Sequence, residues 1–119
     1  MKKIISLSSL LLSSALFATT VPPRVIELHT EKVKDVMHWI PETVTVKPGE
    51  KVKFVLKHDL EGGFEFHGFK VEALKLEKQV NRHKTLEVET MIPKDLKKGE
   101  YPIGCQFHPA HAAAKLIVE

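Results

Sequence analysis

Between Val44 and Leu56 the chain alternates apolar and polar residues with a period of two. Val44 and Val46 alternate with Thr43, Thr45 and Lys47, and Val52, Phe54 and Leu56 alternate with Lys51, Lys53 and Lys57. A helix would need apolar residues every three to four positions, so this stretch can bury one face only as extended strands. Lys47-Pro48-Gly49-Glu50 is a turn signal, and the strands on either side are expected to form a half-buried antiparallel pair. The same period returns at Lys84–Thr90, with Leu86 and Val88 inward, at Tyr101, Ile103 and Cys105, and at Leu116 and Val118. Arg24–Leu28 and Phe64–Val71 read as further extended runs. Glu31–Trp39 and Glu72–Val80 fit either period. Six to eight short strands joined by Pro/Gly turns, with little helix, predict an all-β fold, a two-sheet β-sandwich with one wet face per sheet.

The first eighteen residues are set apart from this pattern. Lys2 and Lys3 precede an uncharged, serine-rich apolar run, Ile4 to Phe17, and Ala18 ends it. This is the pattern of a secretory signal peptide, and the run is too short to span a membrane comfortably. The expectation is a signal at 1–18, a single domain at 19–119, a periplasmic location and no membrane span after cleavage. Without Lys2 and Lys3, sixteen basic residues face fifteen acidic ones, a net charge near +1. Nothing in that balance supplies the concentrated basic face that nucleic acid requires.

Cys105 is the sole cysteine, so an internal disulfide is excluded. An unpaired thiol in an exported chain points to a reactive, partner-seeking or metal-bound residue. His108 and His111 follow it at successive steps of three, in a short loop carrying Pro109 between two strand-like segments. A soft thiolate with two imidazoles looks like half of a metal site, and it selects copper, zinc or iron over magnesium or calcium. A mononuclear copper electron-transfer centre uses two histidines and a cysteine in a plane, with a weaker axial ligand. The missing donor must come from another strand. His67, set among aromatic residues in Phe66-His67-Gly68-Phe69, is the strongest candidate, and Gly68 leaves backbone room beside it. Glu61 in the loop Asp59–Gly63 is the second. His29, His38, His58 and His83 carry no ligand pattern and are expected at the surface, although His58, beside Asp59, could belong to the outer shell of the site. A structural zinc site is weakened, because a full sandwich does not need one.

Trp39-Ile40-Pro41, the run from Val44 to Phe54, Phe66-His67-Gly68-Phe69, and Tyr101-Pro102-Ile103-Gly104-Cys105-Gln106-Phe107-His108-Pro109 together resemble the cupredoxin family of small periplasmic copper proteins. The resemblance implies a Greek-key β-sandwich with one copper ion near one end. The wording is most similar to the nitrosocyanin (red copper) group in Cys105–Pro109 and Glu61-Gly62-Gly63-Phe64, with a short ligand loop like that of amicyanin-type members. His111 stands where the short-loop members place a methionine. The nitrosocyanin pattern, carried over, gives Glu61, Cys105, His108 and His111; the commoner pattern gives His67, Cys105 and His108 with His111 axial. Either set has an axial ligand harder than methionine, which implies a lowered potential and a colour shifted from blue toward green or red. The implied role is one-electron transfer with a transient redox partner protein, an electron carrier rather than an enzyme. The alternative is an open copper position that binds a small molecule such as nitric oxide, peroxide or superoxide. Copper delivery or storage is disfavoured by the absence of a Met-rich stretch, and a binuclear copper site by the single cysteine.

Overall fold

The computed structural model describes residues 21–62, 64–108 and 112–119. The expected leader and His111 lie outside the described residues. Among the described residues there are nine strands: β1 (Arg24–Val33), β2 (Val36–Ile40), β3 (Thr43–Val46), β4 (Lys51–Lys57), β5 (Phe66–Val71), β6 (Leu76–Asn81), β7 (Leu86–Met91), β8 (Gly99–Gly104) and β9 (Ala112–Val118). A 3₁₀ turn, Glu72–Leu74, precedes β6. The count exceeds the expected six to eight because both ambiguous stretches pair. Glu31–Trp39 becomes the end of β1, a turn at Lys34 and Asp35 with positive φ, and β2.

The strands form a four-stranded sheet, β2-β1-β4-β7, and a five-stranded sheet, β3-β9-β8-β5-β6. Only β1–β2, β5–β6 and β8–β9 are hairpins; every other connection changes sheet, which is Greek-key sandwich connectivity. This corrects the expected pairing of Val44–Val46 with Val52–Leu56. β3 instead runs parallel to β9, while β4 runs parallel to β1 and antiparallel to β7. Alternation reports that each strand buries one face. It does not report whether two such faces lie side by side or oppose each other across a core. The turn itself is as expected. Glu50 N–H donates to the Lys47 carbonyl at 3.1 Å, with Pro48 second and Gly49 third at φ +79°, the position where a type II turn requires a left-handed residue. It is pinned to the segment after β7 by Gly49 N–H to the Ile92 carbonyl at 2.7 Å.

The inward residues of the two sheets make one core. Ile26, Leu28, Val52, Phe54, Leu56 and Val88 come from one sheet, and Val44, Val46, Phe69, Val71, Val80, Ile103, Leu116 and Val118 from the other. Each fully buried aliphatic or aromatic side chain contributes about 1.5–3 kcal/mol relative to exposure. An aromatic cluster lies at one end of this core. Trp39 meets Phe69 edge-on at 5.6 Å, and Phe69 meets Phe54 at 5.3 Å. The indole N–H of Trp39 donates to the Gly68 carbonyl at 3.0 Å, so the core fixes the backbone of the strand that carries His67.

Candidate metal centre

Three local features bring Cys105 to β5. The β8–β9 ladder shifts register between Ile103 and Gly104, and such a bulge re-aims the side chains that follow it. The chain then turns tightly, with His108 N–H donating to the Cys105 carbonyl at 3.1 Å. Third, β8 pairs with β5 at Lys70–Gly104. Further along, the thiol sulfur itself accepts from the β5 backbone: Gly68 N–H donates to Cys105 Sγ at 3.2 Å. Cys105 is only 3% exposed. A Cβ added to Gly68 would stand 2.9 Å from Cys105 Sγ and would collide with the Gln106 carboxamide. Gly68 is therefore required by close approach, and the group it makes room for is the Cys105 thiol with Gln106 rather than the neighbouring His67. Gln106 Nε2 donates to the Lys78 carbonyl at 3.0 Å, tying the turn to β6.

The turn also places His108 beside the thiol, with Cys105 Sγ and His108 Nδ1 3.8 Å apart. Metal–thiolate and metal–imidazole bonds of about 2.3 and 2.0–2.1 Å, opened to about 120°, separate sulfur and nitrogen by about 3.7 Å. The pair thus fits two ligands of one ion. Among the described residues, no group of three or more His, Cys, Asp and Glu side chains is gathered closely enough to hold a metal. The described half-site is Cys105 with His108; His111 lies outside the described residues.

His67 is buried on the same strand, one residue from the Gly68 amide that binds the sulfur. Its ring meets Trp39 edge-on at 5.3 Å, and its Nδ1 lies 2.8 Å from the Gly68 carbonyl. A carbonyl only accepts, so Nδ1 carries the hydrogen and Nε2 the lone pair in this tautomer. Glu61 stands elsewhere. Its carboxylate is exposed and lies 2.8 Å from His83 Nε2, while His83 Nδ1 lies 3.3 Å from Asp59. An exposed pair of this kind is worth about 0–1 kcal/mol, so it positions Glu61 on the surface without locking it there.

Of the four histidines expected at the surface, His29 and His83 are exposed and paired with carboxylates, and His38 is partly exposed beside Glu42; His58 corrects the expectation. His58 is fully buried, with Nδ1 2.7 Å from Thr30 Oγ1 and Nε2 2.9 Å from the Phe64 carbonyl. Its burial was legible, because His58 continues the inward series Val52, Phe54, Leu56 at the same period of two. Phe64, to which the sequence pattern gave no role, is 56% exposed and lays its ring against His108, centroids 4.7 Å apart. Phe66 and Phe107 meet edge-on at 4.9 Å.

A sequence profile described as "Cupredoxin-like domain" matches residues 5–118 of the chain. Among solved structures, auracyanin A, a "blue" copper protein of the green thermophilic photosynthetic bacterium Chloroflexus aurantiacus, is similar at 19% identity and a TM-score of 0.61. That match covers 82% of this chain and all of auracyanin A. Copper nitrite reductase from Nitrosomonas europaea is similar at 14% identity and a TM-score of 0.62, but this chain spans only 42% of its length. A copper binding protein solved in its apo form shares 16% identity at a TM-score of 0.60, over 80% of this chain and 86% of that one. At these identities the likeness speaks for the fold. No curated protein matches the chain.

Proposed function

Because the chain belongs to the cupredoxin-like domain family, we propose that it is an exported protein that holds one copper ion and passes single electrons between redox partners. The observation that carries this is the thiol of Cys105, buried, 3.8 Å from His108 Nδ1 and accepting the Gly68 amide. In this reading Cys105, His108 and His111 bind the metal, and His67 completes the set from β5. When bound, copper supplies a centre that changes oxidation state by one electron.

The chain's own residues do the rest. Trp39 holds the Gly68 carbonyl, Gly68 holds the sulfur, and Gln106 ties the turn to β6. An amide donated to a thiolate draws charge from it, one of the contacts that tune the metal from beyond its ligands. Anchoring Cys105 and the strand that carries His67 on the sandwich limits how far these donors must rearrange when the charge of the site changes. Partners dock briefly over the end that exposes His108, and the near-neutral charge of residues 19–119 gives them little long-range steering. No helix among the described residues is long and apolar enough to cross a membrane.

A second reading is favoured by one observation. A cavity of about 460 Å³, lined by Lys32, Asp35, Met37, Leu60, Glu61 and Phe64, opens beside the residue that packs on His108. It suits a site at which a small molecule reaches the metal, with Glu61 as a ligand. Copper titration followed by native mass spectrometry separates these readings. The electron-transfer reading predicts one ion per chain, binding lost in Cys105→Ser, weakened in His67→Ala and unchanged in Glu61→Gln. Loss in Glu61→Gln with retention in His67→Ala supports the open site, and binding unaffected by Cys105→Ser refutes both.

A further inference from the structure

Resting on the copper reading, we propose that His58 is a positioning residue for the metal site: with Thr30 and Arg82 it clamps the Phe64 carbonyl and so holds the Phe64 ring as a shutter over His108. The hydrogen-bond chemistry fixes the direction of every link. The Phe64 carbonyl only accepts, so the His58 Nε2–H donates to it at 2.9 Å. Nδ1 is then the acceptor, and the Thr30 hydroxyl donates to it at 2.7 Å. Arg82 donates a second bond from its guanidinium to the same Phe64 carbonyl at 3.0 Å. Both lone pairs of that one oxygen are thus taken by side chains from different elements.

The supports of the clamp are rigid. Thr30 is 4% exposed on β1, and His58 is fully buried directly after the end of β4. The His58 carbonyl accepts from His83 N–H at 2.9 Å, and Arg82 N–H donates to the Glu65 carbonyl at 2.7 Å. The held residue, by contrast, lies in a loop outside the sheets and would otherwise have no ladder to fix it. Its ring is more than half exposed, yet it leans on His108 at 4.7 Å with a 47° tilt. A fully buried polar histidine spent on one loop carbonyl is a costly arrangement if that loop has no set position to keep. What it keeps is the apolar cover between solvent and the exposed edge of the ligand pair.

The test uses two readouts and one cycle of variants. In the metal-free protein, the His108 ring protons are expected upfield by the Phe64 ring current. Phe64→Ala removes that shift, and His58→Phe, which fills the space but cannot donate, reduces it. In the copper-loaded protein, azide is the probe, an anion that enters such a site by displacing its weakest donor or by taking an open position. Losing a neutral hydrogen bond displaces an open–closed equilibrium by about fivefold, so azide binds about fivefold tighter in His58→Phe and at least as much tighter in Phe64→Ala. The double variant binds azide no tighter than Phe64→Ala alone, because His58 acts only through Phe64. Arg82→Met, at a partly exposed position, repeats the test if His58→Phe fails to fold. An unchanged His108 ring shift in the clamp variants overturns the proposal, as does an azide effect that adds to that of Phe64→Ala. If copper does not bind at all, the metal-free arm still decides the clamp separately from the function.

Discussion

Gly68→Ala is the substitution whose effect the structure sets most closely. Gly68 sits within β5 at a backbone conformation open to other residues, so alanine there carries no penalty from the dihedrals. The penalty is contact. The new methyl would stand 2.9 Å from Cys105 Sγ and would overlap the Gln106 carboxamide. Gln106 ends a flexible side chain and can swing away, at the loss of its 3.0 Å bond to the Lys78 carbonyl, about 0.5–1.5 kcal/mol. Cys105 is buried and has little room to retreat, and overpacking of this kind costs about 1–3 kcal/mol. Together these cost about 1.5–4.5 kcal/mol, measured by urea unfolding of the metal-free protein. Gly104→Ala is the control. It neighbours Cys105, has an ordinary φ and meets nothing within 4 Å, so its effect should lie within about 0.5 kcal/mol of wild type. Equal stabilities for Gly68→Ala and Gly104→Ala would show that β5 does not press on the thiol.

Other perturbations separate neighbouring parts of the account. Trp39→Phe removes the indole donor to the Gly68 carbonyl and leaves a small void, so unfolding free energy should fall by about 1–3 kcal/mol; an unchanged value would remove Trp39 as a brace of β5. The Arg24 guanidinium hydrogen-bonded to Glu50 holds that carboxyl below its usual value. A depressed carboxylate lends stability above its unfolded pKa and loses it as the pH falls through that value toward its folded one. Glu50→Gln should therefore flatten the pH dependence of stability below about pH 4.5, and a profile parallel to wild type across that range would contradict the pairing. Glu27 is lowered and Lys57 raised by their mutual hydrogen bond on the outer sheet face. Both are exposed, so solvent screens the pair and Lys57→Met should leave the urea unfolding midpoint where it is in wild type; a clear drop would show that the pair bears on the core.

The sandwich was legible because period-two alternation is a direct consequence of strands with one buried face. Ile103, Cys105, Leu116 and Val118 all lie inward as that period requires. Which strands neighbour each other was not legible. The turn at Lys47–Glu50 joins strands in opposite sheets, and no residue in it distinguishes that from a hairpin. The two stretches that fit both periods failed for a related reason. In Val33–Ile40 the reversal uses Lys34 and Asp35 at positive φ, where no glycine announces a turn. At the site, the adjacency of Cys105 and His108 followed from a three-residue step; Gly68 stood out beside His67, but the approach of Cys105 and Gln106 that requires it is tertiary. The third partner depends on tertiary placement; the sequence ranked His67 first for its aromatic surroundings and Glu61 second, with no residue that could place either beside Cys105. The structure sets the backbone next to His67 against the sulfur and sets Glu61 beside His83. His58 was missed because a polar residue at an inward position reads as the end of a strand rather than as part of the core.

The central claim is that the Cys105 sulfur is a copper ligand. The optical and EPR spectrum of the Cu(II)-loaded protein, recorded beside Cys105→Ser, tests it most directly. The account predicts an intense thiolate-to-copper absorption band, shifted from blue toward green, that vanishes in Cys105→Ser. The same weak, pale spectrum from both proteins would contradict it.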